Sequence, residues 1–328
     1  MTTSPRLNFV TYFSKEFLIQ GTVAIESFIK SHEESSGLVV CLDGTSRSFL
    51  QSKGYPPRIR VVEISEIHAI SDIFKNFQET RSYAESIISI KPHLIEFYLD
   101  QLESEDYLIY FDADIFFFTS MLALEQFSTG FEVLLSEHLF PKSMAESVKF
   151  GKFNGGMIVF KQSIKSRELL VRWKNQCTEW CKLELSGGRF ADQKYLDDFS
   201  DFDGVAALSH PGVNNGQYYF KEKRIFRFSN RLKRVVVDGF PILSFHFHGI
   251  RINKHDISTG FNRYGTPRNL LWVLIFIYFS YLKKIRQESQ YIRKTFPDTW
   301  VQAICSDNTK FNSRKYLQML KLTRIPHG

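Results

Sequence analysis

The chain has 328 residues, and its 42 lysines and arginines against 35 aspartates and glutamates give a formal net charge of +7. Hydrophobic residues make up 43% and charged residues 23%, which are globular proportions and exclude a disordered or fibrous chain. The charge is uneven, because residues 250–328 carry 14 basic and 4 acidic residues, a net of +10, which leaves −3 for residues 1–249. A mildly acidic body argues against a nucleic-acid-binding protein, so we predict no nucleic-acid partner.

The first 13 residues lack the basic region and long apolar stretch of a signal peptide, so a cytoplasmic protein is the default expectation. The longest apolar run, residues 270–282, is too short for a transmembrane helix, which needs about 20 apolar residues. This run fits either a buried core helix or a helix that lies in the headgroup layer of a membrane. Basic residues follow it directly, so residues 270–294 suit an anionic membrane surface, on the inner face of which the protein would be peripheral.

Along the chain, strand-like and helix-like segments alternate. Strands are predicted at Leu7–Phe13, Leu38–Leu42, Ile59–Ile64, Tyr107–Phe111, Met157–Phe160, Val235–Val237 and Ile242–Phe247. Helices are predicted at Phe17–Lys30, at His93–Leu102 with Pro92 in the first turn, and at Ser163–Leu185. This alternation indicates an α/β fold, a mostly parallel sheet flanked by helices. We expect one catalytic domain over residues 1–260 and a basic, partly apolar helical extension over residues 261–328.

Two carboxylates at the end of a predicted core strand are the most informative feature. Asp112 and Asp114 follow the strand Tyr107–Phe111 and precede Ile115 and three phenylalanines. Unpaired carboxylates among such apolar neighbours would cost several kcal/mol, about the penalty of a buried charge. The carboxyl ends of strands in open α/β sheets form the ligand crevice, and residues two apart on an extended chain face the same side. The pair therefore predicts a divalent cation that bridges to phosphate; a solvated turn is the alternative.

Three other polar segments border predicted strands or helices. His246 and His248 alternate with phenylalanines and face one side of a strand, where an imidazole would complete an oxygen and nitrogen site suited to Mn²⁺. A satisfied core or surface histidine is the alternative. Asn154-Gly155-Gly156 precedes a predicted strand and permits either a close approach to a ligand or an ordinary turn. Asp192-Gln193 begins a predicted helix, where an aspartate is also a good cap.

Four segments, FDADIFFF, FNGGMIVF, ADQKYL and SFHFHG, occur in the order found in nucleotide-sugar glycosyltransferases of the GT-A fold. The chain most resembles glycosyltransferase family 8, which includes glycogenin and the lipopolysaccharide galactosyl- and glucosyltransferases. The resemblance covers roughly residues 7–250. It implies a GT-A, Rossmann-like catalytic domain that transfers a sugar from a UDP-sugar.

The resemblance also implies roles for single residues. Asp112 and Asp114 look like the Asp-x-Asp ligands of Mn²⁺ (or Mg²⁺), and His246 looks like the third protein ligand. His248 is a histidine that the family pattern does not demand. Lys91 resembles the family's basic residue near the nucleotide and the donor sugar.

The remaining carried-over residues line the donor. Asn154 and Gly155 resemble the segment beside the donor sugar, and Asp192-Gln193 resembles the Asp-Gln pair beside the anomeric carbon. Thr11 and Tyr12, which close the first strand, resemble the uridine contact.

The sequence departs from the family pattern in two places. The family often has Lys-Pro-Trp after His-Phe-x-Gly, whereas this chain continues with Ile-Arg-Ile-Asn-Lys, so Arg251 or Lys254 takes the place of the diphosphate-binding lysine. The Asp/Asn-x-Tyr pattern after the first strand is replaced by residues 14–17, Ser-Lys-Glu-Phe.

We therefore expect a metal-dependent hexosyltransferase of polysaccharide biosynthesis that uses a UDP-sugar and retains the anomeric configuration, as the resemblance implies. The expected acceptor is a glycan or a lipid-linked glycan. Asn214 and Asn215, in the segment His210–Tyr219, are candidates for its recognition. The alternative is another metal-dependent nucleotide-sugar enzyme, a nucleotidyltransferase or a phosphohydrolase, which would also use paired aspartates.

Overall fold

A computed structural model describes residues 6–122, 124, 127, 130–140, 142–208, 210–216, 226–229, 234–253, 257–258 and 271–304, with side chains left out at 143 and 271–275. The main sheet has seven strands in the order β3-β2-β1-β4-β7-β6-β8. They are β1 (Leu7–Phe13), β2 (Gly37–Cys41), β3 (Ile59–Glu63), β4 (Tyr107–Phe111), β6 (Val133–Glu137), β7 (Phe153–Lys161) and β8 (Val205–Ala207). All neighbouring strands are parallel except for β7, which runs antiparallel to both β4 and β6. The predicted α/β fold with a mostly parallel sheet is confirmed.

Helices cover both faces of this sheet. They are α1 (Leu18–Ser31), α2 (Gly44–Ser52), α3 (His68–Thr80), α4 (Tyr83–Leu99), α5 (Ile164–Glu179), α6 (Leu271–Thr295) and α7 (Pro297–Ala303). Side chains of α1, α2 and α6 share one core with one face of the sheet. Side chains of α3, α4 and α5 share a second core with the other face. The sheet is therefore buried on both faces, as its apolar strands require.

Short strands complete the fold beside the main sheet. Three of them, β5 (Ile115–Phe117), β13 (Ser244–His246) and β9 (Asn215–Gly216), form a small sheet in the order β5-β13-β9. The others are β10 (Phe226–Ser229), β11 (Arg234–Val237) and β12 (Phe240–Pro241), which pair with one another, and β14 (Arg251–Ile252), which pairs with β15 (Ile257–Ser258). Because β5 follows β4 after only three residues, the small sheet carries His246 to the end of β4.

The prediction that Pro92 opens a helix is wrong. Helix α4 begins at Tyr83, where Ser82 and Glu85 form a capping box, and Pro92 lies inside the helix. A proline inside a helix removes one backbone hydrogen bond, and here the helix continues because its apolar face is buried in the core. The capping box places the start of α4 earlier than the proline suggested.

Two other boundaries also differ from those predicted. Asn154, Gly155 and Gly156 lie inside β7 rather than in a turn before it, because β7 begins at Phe153 between two partner strands. Helix α5, predicted over Ser163–Leu185, begins at Ile164 with Ser163 as its cap and ends at Glu179, where Trp180 is already extended. The run predicted to continue to Leu185 leaves the helix there and leads toward Asp192.

The apolar run near the carboxyl end forms the first half of α6. Ile277, Tyr281, Ile285 and Ile292 are buried in the core shared with α1 and the sheet. The expectation of a core helix is therefore confirmed for this face. The boundary between residues 260 and 261 lies outside the described residues. No helix in the described ranges has the length and apolar character needed to span a membrane.

Candidate active site

Polar residues from β4, α4, β7, β13 and the segment after α5 converge at the carboxyl end of β4. In open α/β sheets this edge is where ligands bind. Asp112 follows β4 directly, and its N–H donates to the carbonyl of Gly156 on β7 (2.8 Å). The carbonyl of Asp114 accepts from the N–H of Phe247 (2.8 Å), immediately beyond β13. These backbone bonds fix both carboxylates relative to the neighbouring strands.

Lys91 connects three of these segments. Its side chain is buried, and Nζ lies 2.5 Å from Asp192 Oδ2 and 4.0 Å from Asp112 Oδ1. Nζ also donates to the carbonyl of Gly155 (3.0 Å). Burial alone would lower the pKa of Lys91, but the carboxylates of Asp192 and Asp112 raise it well above its ordinary value. The ammonium therefore stays charged at the centre of the site.

The backbone of Asp192 is fixed by a hydrogen bond, and its carboxylate pairs with Lys91. It precedes a 3-10 helix (Gln193–Asp201) without capping it, and its carbonyl accepts from the indole N–H of Trp173 (2.9 Å). The residue before it, Ala191, has a φ of 48°, a left-handed conformation that costs energy for any side chain and is typical of functional sites. Gln193 donates from Nε2 to the carbonyl of Phe150 (2.9 Å). The predicted Asp-Gln pair thus lies next to Lys91 with both members fixed.

Gly155 and Gly156 bring the backbone of β7 close to the other site residues. A Cβ on Gly156 would lie 2.7 Å from His246 Cε1 and 2.8 Å from both Asn154 Oδ1 and Asp112 Oδ2. A Cβ on Gly155 would lie at a more tolerable 3.3 Å from Asp192 Oδ2 and from Lys91 Nζ. Only glycine leaves room at position 156 for the groups that surround it.

Asp114 and His246 form a buried carboxylate–imidazole pair, with Nε2 2.9 Å from Oδ1. Asp112 Oδ2 lies 4.0 Å from the same Nε2. Burial would raise the pKa of Asp114, but the imidazole of His246 lowers it to about 2. Burial would conversely lower the pKa of His246, and the carboxylate of Asp114 raises it above its usual value. The pair therefore favours the charged form of each partner.

A third potential ligand joins this pair. Ligand atoms of Asp114, His246 and His248 all lie within 4.8 Å of one another. Carboxylate oxygen and imidazole nitrogen suit Mn²⁺ and its neighbours in the first transition row. Asp114, His246 and His248 therefore fit a divalent cation. Asp112, the other member of the predicted aspartate pair, lies outside this compact group, with its Oδ2 4.0 Å from His246 Nε2.

Thr11 and Tyr12 lie beside the site but have their hydroxyl groups engaged within the fold. Thr11 Oγ1 donates to the carbonyl of Phe111 (2.8 Å), and the Tyr12 hydroxyl donates to that of Ile87 (2.8 Å). They tie β1 to β4 and to α4. Arg251 is exposed on β14, and Lys254 lies outside the described residues.

The structure also brings His138, which the motifs did not single out, close to the predicted residues. His138, which follows β6, is buried, and burial together with His246 and His248 lowers its pKa to about 4. Its position after a core strand is the signal that could have identified it. Asn214, a predicted acceptor residue, is 2% exposed with a φ of 45° and precedes β9, which pairs with β13 beside His246.

Comparison with solved structures places this architecture among the GT-A glycosyltransferases. The galactosyltransferase LgtC, crystallised as an active-site mutant with glutamine replaced by glutamate, superposes with a TM-score of 0.53 over 80% of this chain and 98% of LgtC, at 16% identity. LgtC in complex with donor and acceptor sugar analogs gives a TM-score of 0.50 over 74% of this chain and 87% of LgtC, also at 16% identity. The GT-A fold that the four motifs predicted is confirmed.

In sequence, the chain is similar to two proteins of Bacillus subtilis (strain 168). The uncharacterized protein YfnF is 28% identical over 253 residues, which make up 74% of this chain and 82% of YfnF. The uncharacterized protein YfnD is 21% identical over 304 residues, 89% of this chain and 92% of YfnD. The chain matches no family model.

Proposed function

We propose that the chain is a metal-dependent glycosyltransferase that transfers a sugar from a UDP-sugar to a glycan or lipid-linked glycan, with retention of anomeric configuration. The observation that carries the proposal is the buried Lys91 between Asp192 and Asp112, next to the Asp114–His246 pair. This arrangement lies at the ligand-binding edge of a fold shared with LgtC, a galactosyltransferase solved with donor and acceptor sugar analogs.

The donor diphosphate would bind at the carboxylate–imidazole cluster. Asp112, Asp114 and His246 would hold Mn²⁺ or Mg²⁺, which when bound supplies a Lewis acid for the diphosphate oxygens of the leaving UDP. Lys91 adds a positive charge that is already in place, because burial and two carboxylates fix it before the substrate arrives. Donors and charges organised in advance are the largest single contribution to stabilising developing negative charge. Arg251, or Lys254, would extend this positive region to the rim.

Asp192 and Gln193 would act at the anomeric carbon. As the bond from that carbon to the phosphate oxygen breaks, positive charge develops on the sugar ring, and the oxygens of a carboxylate and an amide stabilise it. The contact with Lys91 positions the Asp192 carboxylate, and the hydrogen bond to Phe150 orients Gln193. The oxygen of the acceptor hydroxyl would bond to the same carbon, and its proton would pass to the phosphate oxygen of the departing UDP.

Around this centre, the other predicted residues would shape the donor and acceptor sites. Asn154 and Gly155, on β7, would contact the donor sugar, and Thr11 and Tyr12 would line the nucleotide end of the crevice. Asn214 immediately precedes β9, which pairs with β13 beside His246, and it remains our candidate for acceptor recognition.

A panel of UDP-sugars tests the proposal directly. Purified protein with Mn²⁺ should release UDP from at least one of them, and EDTA should stop the release. Asp112→Asn should abolish the reaction while the protein stays folded, whereas Asp100→Asn, at an exposed ion pair with Arg167, should leave it unchanged. Release of pyrophosphate instead of UDP, or full turnover by Asp112→Asn with saturating Mn²⁺, would contradict the proposal.

The protein would be cytoplasmic and peripheral on the inner face of a membrane, as access to a lipid-linked acceptor requires. The face of α6 opposite its buried side supports this, because Phe276 and Phe279 are half-exposed there and Lys283 and Lys284 follow on the exposed surface. Each basic residue near an anionic surface contributes about 1 kcal/mol. The parent chain should float with vesicles of phosphatidylglycerol, and the double variant Phe276→Ser/Phe279→Ser should not. Equal flotation of the parent chain and the double variant would refute the membrane role.

A further inference from the structure

Beside the carboxylate–imidazole pair, the imidazole of His248 lies parallel to that of His246. The two ring centroids are 4.8 Å apart with an interplanar angle of 14°. Both rings face Asp114, and the ligand atoms of the three residues lie within 4.8 Å of one another. A single divalent cation can therefore be reached by both imidazoles and one carboxylate.

The orientation of His248 is fixed by the residue before it. Phe247 is fully buried and stacks on Tyr281 of α6 at 3.9 Å between centroids and 7° between planes. Its backbone N–H donates to the carbonyl of Asp114 (2.8 Å). Phe247 packs against α6, and the histidines on either side of it, His246 at the end of β13 and His248 in the turn that follows, stack on each other. Gly249, with a φ of 80°, turns the chain immediately afterwards.

Asp112 is placed differently from the other potential ligands. Its Oδ1 accepts from the hydroxyl of Tyr110 (2.5 Å) and lies 4.0 Å from Lys91 Nζ. Its Oδ2 is 4.0 Å from His246 Nε2, whereas Asp114 is in direct contact with that nitrogen. Asp112 thus lies between Lys91 and the potential ligands. Asp114, His246 and His248 form the compact group of those ligands.

We propose that His248 is a ligand of the cation, so that the site holds its metal with two imidazoles as well as carboxylate oxygen. This inference rests on the proposed metal-dependent function and adds a ligand beyond the Asp-x-Asp pair and the single histidine. Its consequence is selectivity, because each imidazole favours Mn²⁺, Co²⁺ or Zn²⁺ over Mg²⁺, which prefers oxygen ligands and retained water. The protein should therefore discriminate against Mg²⁺ more strongly than a site with one histidine.

The test is binding of Mn²⁺ to the full chain, measured by electron paramagnetic resonance and by titration calorimetry without a sugar substrate. His248→Phe keeps an aromatic ring stacked on His246 but removes the nitrogen ligand. It should weaken Mn²⁺ binding at least about tenfold and leave Mg²⁺ binding nearly unchanged. His68→Ala, at an exposed histidine on α3, is the matched control and should bind both ions as the parent chain does.

Coupling between the Mn²⁺ electron spin and imidazole nitrogen gives a second measurement that packing alone would not alter. Pulsed resonance should detect two coupled imidazoles in the parent chain and one in His248→Phe. Unchanged affinity and an unchanged two-imidazole signal in the variant would overturn the inference, as would one imidazole or no bound Mn²⁺ in the parent chain. If Mn²⁺ binds as expected but no UDP-sugar is turned over, the proposed function fails while the ligand assignment stands.

Discussion

Adding one methyl group at Gly156 should disable the site, although the same change one residue earlier should not. The Cβ of Gly156→Ala would lie 2.7 Å from a carbon of His246 and 2.8 Å from oxygens of Asn154 and Asp112. That of Gly155→Ala would meet its nearest neighbours at 3.3 Å. Both glycines lie in β7, so the two variants share their secondary structure and burial and differ mainly in these contacts.

The size of the effect of Gly156→Ala depends on which groups around the new Cβ can shift. Strand β7 is paired with β6 on either side of Gly155 and Gly156, which themselves lie at a register shift in that pairing, and with β4 from Met157 onward. The carbonyl of Gly156 is also held by the N–H of Asp112, so the three side chains must shift by several tenths of an ångström. Overpacking of this kind costs about 1–3 kcal/mol of unfolding free energy. Misplacing reacting groups by about 1 Å costs roughly 100-fold in rate. We expect Gly156→Ala to lose Mn²⁺ affinity and about two orders of magnitude in turnover, and Gly155→Ala to stay within a few-fold of the parent.

Urea unfolding, Mn²⁺ titration and UDP release should be measured on the three proteins together. Equal denaturant dependence of the unfolding free energy would show that all three have the same compact fold. The reasoning is refuted if Gly156→Ala binds Mn²⁺ and turns over like the parent, or if Gly155→Ala loses as much as its neighbour.

Three other perturbations test how the fold supports this site. Tyr281→Ala should weaken Mn²⁺ binding and cost about 3–5 kcal/mol of unfolding free energy, because it removes the ring under Phe247, whereas Tyr281→Phe should retain both properties in the same assays. Lys53→Met should lower the free energy of unfolding in urea by about 3 kcal/mol, because it removes the ion-pair partner of the buried Glu288. The double variant Lys53→Met/Glu288→Leu should recover most of that stability. A double variant as unstable as Lys53→Met would refute an ion-pair cause. Burial lowers the pKa of His32 to about 4, below its value of about 6.5 in the unfolded chain, so protonation favours unfolding as the pH falls between these values. Unfolding free energy should drop by about 2 kcal/mol from pH 7 to pH 5 through this residue, and a His32→Asn chain with the same pH slope would contradict the assignment.

The parts of the site that the sequence predicted lie where a strand pattern ends in polar residues. The apolar run Tyr107–Phe111 defines a buried strand, and the carboxyl end of such a strand is a ligand-binding edge whatever the rest of the fold is. Asp112 and Asp114 were identified for this reason, and His246 because it alternates with buried phenylalanines. These signals are local, and local periodicity is what a single sequence displays.

The contacts that organise the site are not local. Lys91 and Asp192 are a hundred residues apart, and their ion pair depends on how α4 packs against the segment after α5. In isolation, the aspartate was equally consistent with a helix cap, and the structure shows that its carboxylate does not cap. For Gly156, the sequence is consistent with either a close approach or a turn, because the crowding that excludes a side chain comes largely from Asp112 and His246, which are distant in sequence. Such effects follow from tertiary packing and leave no spacing pattern in the sequence.

Helix α6 joins two interpretations that the sequence had presented as alternatives. Its inner face packs Tyr281 against Phe247, the residue between His246 and His248, so the helix supports the proposed cation site. Its outer face exposes Phe276 and Phe279. Deleting the helix would therefore remove core packing and any membrane contact together, and loss of activity would not distinguish between them. Surface substitutions separate the two roles, because serine at the exposed phenylalanines leaves the inner face intact: we expect vesicle binding to fall while Mn²⁺ affinity and unfolding free energy stay unchanged.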